Sequence, residues 1–186
     1  MIVIHFQIGL LYRRYLFDKG AIMNQETNEI IRDFNMQMLK AEGTYLAQTY
    51  RSVLSLADGQ PAGTAIIGLY CENPKSLSCF HRLSHDEVWH FYDGDPFELH
   101  LLYENGTSET VVMGRDWQHG QRFQFVVPAG VWQGGCIVPG GTYSLYGTTM
   151  APGFTPACFE AGIRDELIHK YPHEETIIRK LSRGYE

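Results

Sequence analysis

The stretch SCFHRLSHDEVWHFYDG, Ser78 to Gly94, concentrates His81, His85, His90, Asp86, Glu87, Cys79 and Trp89 in one short run. Imidazole and carboxylate side by side can hold a divalent metal ion, or can act without one as general acid and base. A third reading is that they only line a ligand pocket. In a strand, residues two apart share a face, so Cys79 and His81 point to the same side. RLSHD then reverses the chain, and Glu87, Trp89 and Phe91 share one face of the next strand. If both faces are interior, Glu87 stands beside His81. His90 alternates with Trp89 and points away from Glu87, while His85 falls in the turn. The face taken by His100, in ELHLLYE, depends on the register of its strand.

These groups need elements to position them. From Asn24 to Lys40, the apolar residues Ile30, Ile31, Phe34, Met38 and Leu39 recur at helical spacing. That predicts a helix with Asn24 or Thr27 as N-cap and Gly43 as its end. TYLAQTYRSV reads as a strand, DGQPAG as a turn, TAIIGLY as an apolar strand and NPKS as another turn. Short strands follow around Cys79, Glu87–Tyr92, Glu98–Tyr103, Glu109–Met113, Phe123–Val127, Gly135–Val138 and Tyr143–Thr149. A spacing of about ten residues with intervening turn signals predicts an all-β sandwich or barrel. After APGF the chain closes with two short helices, one over roughly Phe159–Lys170 and one after Pro172 carrying Ile177, Ile178 and Leu181.

The chain has 186 residues, 44% of them hydrophobic and 13% aromatic, with a formal net charge of −6. This composition is that of a globular protein, with residues 23–186 as one domain. No basic stripe offers a footprint for nucleic acid, so the expected partner is a small molecule. The apolar start MIVIHFQIGLLYRRYLF is too short to span a bilayer and lacks the features of a secretory signal. Met23 opens MNQETNEIIRDF like a domain start, which leaves residues 1–22 as an extension. Cys71, Cys79, Cys136 and Cys158 form no C-x-x-C pair and read as reduced thiols of a cytoplasmic protein without a membrane partner.

FHRLSHDEVWHFYDG and VVPAGVW together resemble the two motifs of the cupin superfamily, G-x5-H-x-H-x3–4-E-x6-G and G-x5–7-P-x-G-x2-H-x3-N. His81 fits the second histidine of the first motif. Glu87 fits its glutamate, with one extra intervening residue, and Gly94 its closing glycine. Gly120, Pro128 and Gly130 fit the second motif, with Gln133 in its histidine position. AEGTYLAQTYRS, LHLL, VPAGVWQ and APGF, in this order, are similar to a small cupin subgroup known as a domain of unknown function and described as sugar-epimerase-like. The resemblance covers roughly residues 27–183. It implies an all-β cupin-type double-stranded β-helix, a jelly-roll barrel with an N-terminal helix and short C-terminal helices, pairing as a homodimer. Three positions depart from it: Cys79 stands where the subgroup has the first histidine, Gln133 where metal cupins have their last, and Thr44 where a second glycine is usual.

On this frame His81, Glu87 and Gln133 are the candidate metal ligands, with Cys79 as a fourth donor. A carboxamide is a weak donor to transition ions. No cofactor is therefore expected, while a divalent transition metal stays open. Without metal, His81 would be the base and Glu87 its orienting partner, in isomerase or epimerase chemistry on a sugar-like or anionic substrate. Tyr45, Tyr50, Tyr143 and Tyr146 are candidates for a second proton donor. Cys79, Trp89, Phe91, Trp132, Gln133, Tyr45 and Arg51 are the candidate ligand-binding residues, with Phe125 as a further aromatic. Arg51 and Arg82 would hold an anionic group. A non-catalytic ligand-binding module and a metal-dependent cupin enzyme are the alternatives. The chain has no G-x-S-x-G, P-loop or dinucleotide fingerprint.

Overall fold

A computed structural model describes residues 25–182. Two antiparallel sheets face each other across the core. The first runs in the order β1 (Gln37–Leu39), β2 (Thr44–Arg51), β3 (Thr64–Glu72), β11 (Tyr143–Met150), β6 (Glu87–Gly94) and β9 (Gln124–Val127), with β4 (Lys75–Ser76) paired to β3. The second runs β12 (Phe159–Ala161), β5 (Ser78–Leu83), β10 (Trp132–Ile137), β7 (Phe97–Leu102) and β8 (Ser108–Met113). Helix α1 covers residues 25–33, and α2 (Arg164–Lys170) and α3 (Glu175–Lys180) follow the last strand.

Period-two alternation assigns each face. On β7, Phe97, Leu99 and Leu101 enter the core between the sheets, while Leu102 faces outward. On β10, Trp132 and Cys136 face outward and Ile137 inward. The outward face is covered by Leu167, Tyr171, Ile178 and Leu181 of the C-terminal segment. Helices of seven and six residues would be marginal alone. Burial of each such side chain, worth about 1.5–3 kcal/mol, holds them in place. Helix α1 does the same for the outer face of β2 and β3, where Ile30 and Ile31 pack with Met36, Leu69 and Cys71.

The jelly-roll expectation holds, and two elements differ from the sequence reading. The first helix stops at residue 33 instead of running on towards Gly43. Asn35 adopts φ 51°, a left-handed conformation that asparagine tolerates. Met38 and Leu39 then join β1, which pairs with β2 through Met38–Tyr45 and Leu39–Thr44. Gly43, at φ 90°, closes the β1–β2 turn, its N–H donating to the Leu39 carbonyl at 2.8 Å. Thr27 is not an N-cap; its hydroxyl donates to the Asn73 carbonyl at 2.9 Å. Asn24 and residues 1–22 lie outside the described residues. The second difference is β12: Phe159–Ala161, expected as the start of a helix, pairs with β5. None of the four cysteines is in a disulfide. Among the described residues, no helix is long and apolar enough to cross a membrane.

Candidate functional site

Tyr70, Trp89, Phe97 and Tyr146 fill the middle of the space between the sheets, with ring centroids 4.4–6.4 Å apart. Tyr146 fits there because Gly68 faces it across the β3–β11 pair; a Cβ at Gly68 would lie 2.5 Å from the Tyr146 hydroxyl. Beyond these rings a cavity of about 200 Å³ opens, with Trp89 and Tyr146 in its wall. Its polar lining includes His81, Glu87 and Thr148, and its apolar lining includes Leu46, Leu83 and Phe154.

His81 (β5) and Gln133 (β10) are direct cross-strand partners in one sheet, while Glu87 and Trp89 come from the sheet opposite. Gln133 thus reaches Glu87 from the His81 side. The four residues form a directional chain. The Trp89 Nε1–H donates to Gln133 Oε1 at 2.8 Å. Gln133 Nε2 donates to Glu87 Oε2 at 2.7 Å and lies 3.4 Å from His81 Nε2. His81 Nδ1 is 2.9 Å from the Cys79 carbonyl oxygen. An indole nitrogen only donates and a carbonyl only accepts, so both ends of the chain are fixed. The Gln133 oxygen must face Trp89, its NH2 must face Glu87 and His81, and Nδ1 of His81 carries the proton. With Nδ1 protonated, Nε2 is the lone-pair nitrogen of the neutral ring, facing the Gln133 NH2 at 3.4 Å, and it is the atom a general base would use.

All three of His81, Glu87 and Gln133 are buried. Burial raises the Glu87 carboxyl above its ordinary range, opposed by the attraction of His81 when that ring is protonated and by hydrogen bonds from Thr148 and Gln133. Burial also raises the Tyr146 phenol, whose hydroxyl lies 2.9 Å from Thr44 Oγ1, and so favours its protonated form. The Phe159 ring stacks on His81 with centroids 5.3 Å apart and restrains the imidazole.

The other candidates distribute unevenly. Trp89 lines the cavity, and Tyr146 is the only one of the four tyrosines that does. Tyr45 packs on the outer face with Met36, Tyr50 is exposed, and Tyr143 points to Asp93. Cys79 is absent from the lining. Three steps of β5, from Ser78 to His81, span what two steps of β10 do, and this bulge breaks the alternation expected from sequence. Ser78 is the residue that turns in, accepting from the Tyr70 hydroxyl at 2.7 Å. Phe91 belongs to the packed core, with Phe125 against it. Trp132 lies on the outer face under the Arg82 guanidinium, 4.6 Å from its ring centroid. Arg82 also makes a two-point pair with Glu160, both contacts at 2.8 Å. Arg51 is exposed and donates to the Phe154 carbonyl at 3.2 Å. No lysine or arginine lines the cavity among the described residues, so neither arginine supplies the expected anion clamp. His100 faces outward, and His90 bonds Thr149 at 3.1 Å on the face away from Glu87. Sequence reasoning missed Thr148, Phe159 and Glu42, which also lines the cavity. Cross-strand pairing brings Thr148 and Phe159 to the site, and the β1–β2 turn brings Glu42.

The residues present do not fit a metal centre of the cupin kind. Gln133 turns N–H donors, not its oxygen, towards His81 and Glu87. Two lone-pair donors remain, one fewer than the three protein ligands of a catalytic zinc. Among the described residues, the one His/Cys/Asp/Glu group close enough to share an ion lies elsewhere.

The chain is similar to a protein from Shewanella oneidensis of solved structure, with 30% identity and a TM-score of 0.78 over 84% of this chain and 97% of that one. It is also similar to a solved hypothetical protein from Leishmania major, with 26% identity and a TM-score of 0.74 over 83% of this chain and 97% of that one. No curated protein matches. Residues 28–162 match the family described as cupin superfamily (DUF985), and the chain belongs to that family.

Proposed function

We propose that this cupin binds a small, uncharged, sugar-like molecule and moves a proton on it without a metal, as an isomerase or epimerase acting beside a carbonyl. The observation that carries this reading is the clamp on Gln133. It marks Nε2 of His81 as the lone-pair nitrogen a base needs and holds Glu87 next to it, while the carboxyl's raised proton affinity suits it to share that proton. Tyr146 would donate from its own side of the cavity. The absence of any cation from the described lining favours a neutral over an anionic substrate.

The test is carbon–hydrogen exchange in D2O, followed by NMR, with a panel of aldoses, ketoses and hydroxyketones. Exchange that disappears in His81→Ala, while the melting temperature holds, supports the reading. Exchange that persists in His81→Ala removes the base. Saturable stabilisation by a sugar with no exchange at all makes the protein a binding module instead.

The proposal extends to a homodimer in the cytoplasm. The loop between β2 and β3 exposes Val53 at 97% and Leu54 at 70%, apolar surface that a second copy would cover. Sedimentation should give twice the chain mass, falling to one chain in a Val53→Glu, Leu54→Glu variant; a single-chain mass for the parent protein would overturn the dimer.

A further inference from the structure

Away from the cavity, Glu98, His100 and Cys136 bring a carboxylate, an imidazole and a thiol to the outward face of the second sheet. Their ligand atoms all lie within 4.8 Å of one another. The strand register explains the meeting: Glu98 stands opposite Cys136, His100 stands opposite Gly134, and residues two apart share a face. Gly134 has no side chain to intrude, and Leu181 closes over it; a Cβ there would lie 3.2 Å from the Leu181 Cδ1.

His100 is buried, with 9% of its surface exposed. Its Nδ1 lies 3.0 Å from Thr110 Oγ1. Its Nε2 has no hydrogen-bond partner, and Glu98 Oε2 lies 3.3 Å from it as the nearest charged group of the cluster. In the tautomer whose Nδ1–H donates to Thr110 Oγ1, Nε2 turns a lone pair towards the Glu98 carboxylate. Two lone pairs at that distance repel unless a proton or a metal cation stands between them. A ligating histidine anchored through its other nitrogen is the usual arrangement around a bound metal.

We propose that Glu98, His100 and Cys136 form a binding site for a zinc-like divalent cation, separate from the cavity. Tetrahedral donors about 2.0–2.3 Å from an ion stand about 3.3–3.8 Å apart. The Glu98–His100 pair already has that spacing, and Cys136 closes the remaining ångström or so by side-chain rotation. Binding sends the thiol proton to solvent, leaving thiolate, carboxylate and neutral imidazole around the ion, with water as fourth ligand. Lys180, at the end of α3, is the competing cation beside Cys136 and Glu98. It is exposed, and its long stem lets the ammonium move out to solvent.

The test is titration of the chelator-stripped full chain with Co²⁺ alone, followed by displacement with Zn²⁺. One equivalent of Co²⁺ should develop tetrahedral d–d bands and a thiolate-to-cobalt charge-transfer band, both discharged by Zn²⁺. Cys136→Ser should abolish the charge-transfer band. Thr110→Val should weaken affinity about ten- to a hundredfold, and Lys180→Met should tighten it. His81→Ala, in the cavity, should leave cobalt binding and its spectrum unchanged. No cobalt uptake, a charge-transfer band that survives Cys136→Ser, or one lost in His81→Ala would each overturn the site. Near-UV circular dichroism of the metal-free variants confirms folding; should Cys136→Ser not fold, loss of cobalt affinity in Glu98→Gln carries the same decision.

Discussion

The Trp89 indole donates to the side-chain oxygen of Gln133 at 2.8 Å, and this one bond decides what Gln133 can offer His81 and Glu87. A glutamine amide has a donor end and an acceptor end. With the acceptor end taken by a group that cannot accept, the donor end is fixed towards the acid and the base.

Trp89→Phe keeps an aromatic ring but removes the donor. It should cost about 1–3 kcal/mol, because a buried amide oxygen is left without a partner. Denaturant unfolding of Trp89→Phe, Gln133→Leu and the double variant checks this through their coupling. Additive losses would mean that the bond contributes nothing beyond the packing of its two residues.

Gly68 admits the Tyr146 ring, and Gly68→Ala should therefore cost about 1–3 kcal/mol and push the ring off Thr44 and into the cavity. Thermal unfolding gives the loss. Pairing it with Tyr146→Val, which removes the ring that the new methyl meets, should restore part of it. If Gly68→Ala is equally costly in both backgrounds, strain in β3 is responsible and the Tyr146 contact is not.

Much of this arrangement was legible in the sequence. Alternating apolar residues and spaced turn signals gave the strands from β5 to β11, and the two motif stretches singled out His81, Glu87 and Gln133. What failed has specific physical causes. Trp132 and Gln133 are consecutive, so in one strand they cannot both face the cavity; parity forbids the pair, but only the register tells which of them turns in. Cys79 lost its expected place to a bulge, and one inserted residue reverses the face of everything before it. The first helix ended at residue 33, although the helical spacing of apolar residues continued, because Met38 and Leu39 found strand partners in β2. Thr148 and Phe159 are distant in sequence from the motifs, and only pairing across the sheets brings them to Glu87 and His81.

Arg82 looked from sequence like an anion-binding neighbour of His81, but alternation turns it outward onto Trp132 and Glu160. Arg82→Gln should change the fluorescence of Trp132 and cost at most about 1 kcal/mol, as partly exposed ion pairs do. Affinity for a sugar held in the cavity should stay within about twofold of the parent. A tenfold loss, measured by calorimetry, would return Arg82 to the binding site.

Glu87 sets the pH dependence. Its carboxyl is raised above the ordinary range chiefly by burial, against the charge of His81 and the bonds from Thr148 and Gln133. A proton kept by the native state at a pH where the unfolded chain has released it stabilises the fold. The contribution of Glu87 is therefore complete below the ordinary carboxylate pKa and shrinks as pH rises through the raised value. Glu87→Gln removes this titration, while its amide oxygen can still accept from Gln133 Nε2. Urea unfolding of both proteins from about pH 4 to pH 8 should show the stability difference moving in favour of Glu87→Gln as pH rises. A flat difference would mean that Glu87 titrates as it does in the unfolded chain. Movement in the opposite direction would mean that the attraction of His81 outweighs burial, leaving the carboxylate ionised and unable to share the proton of the base.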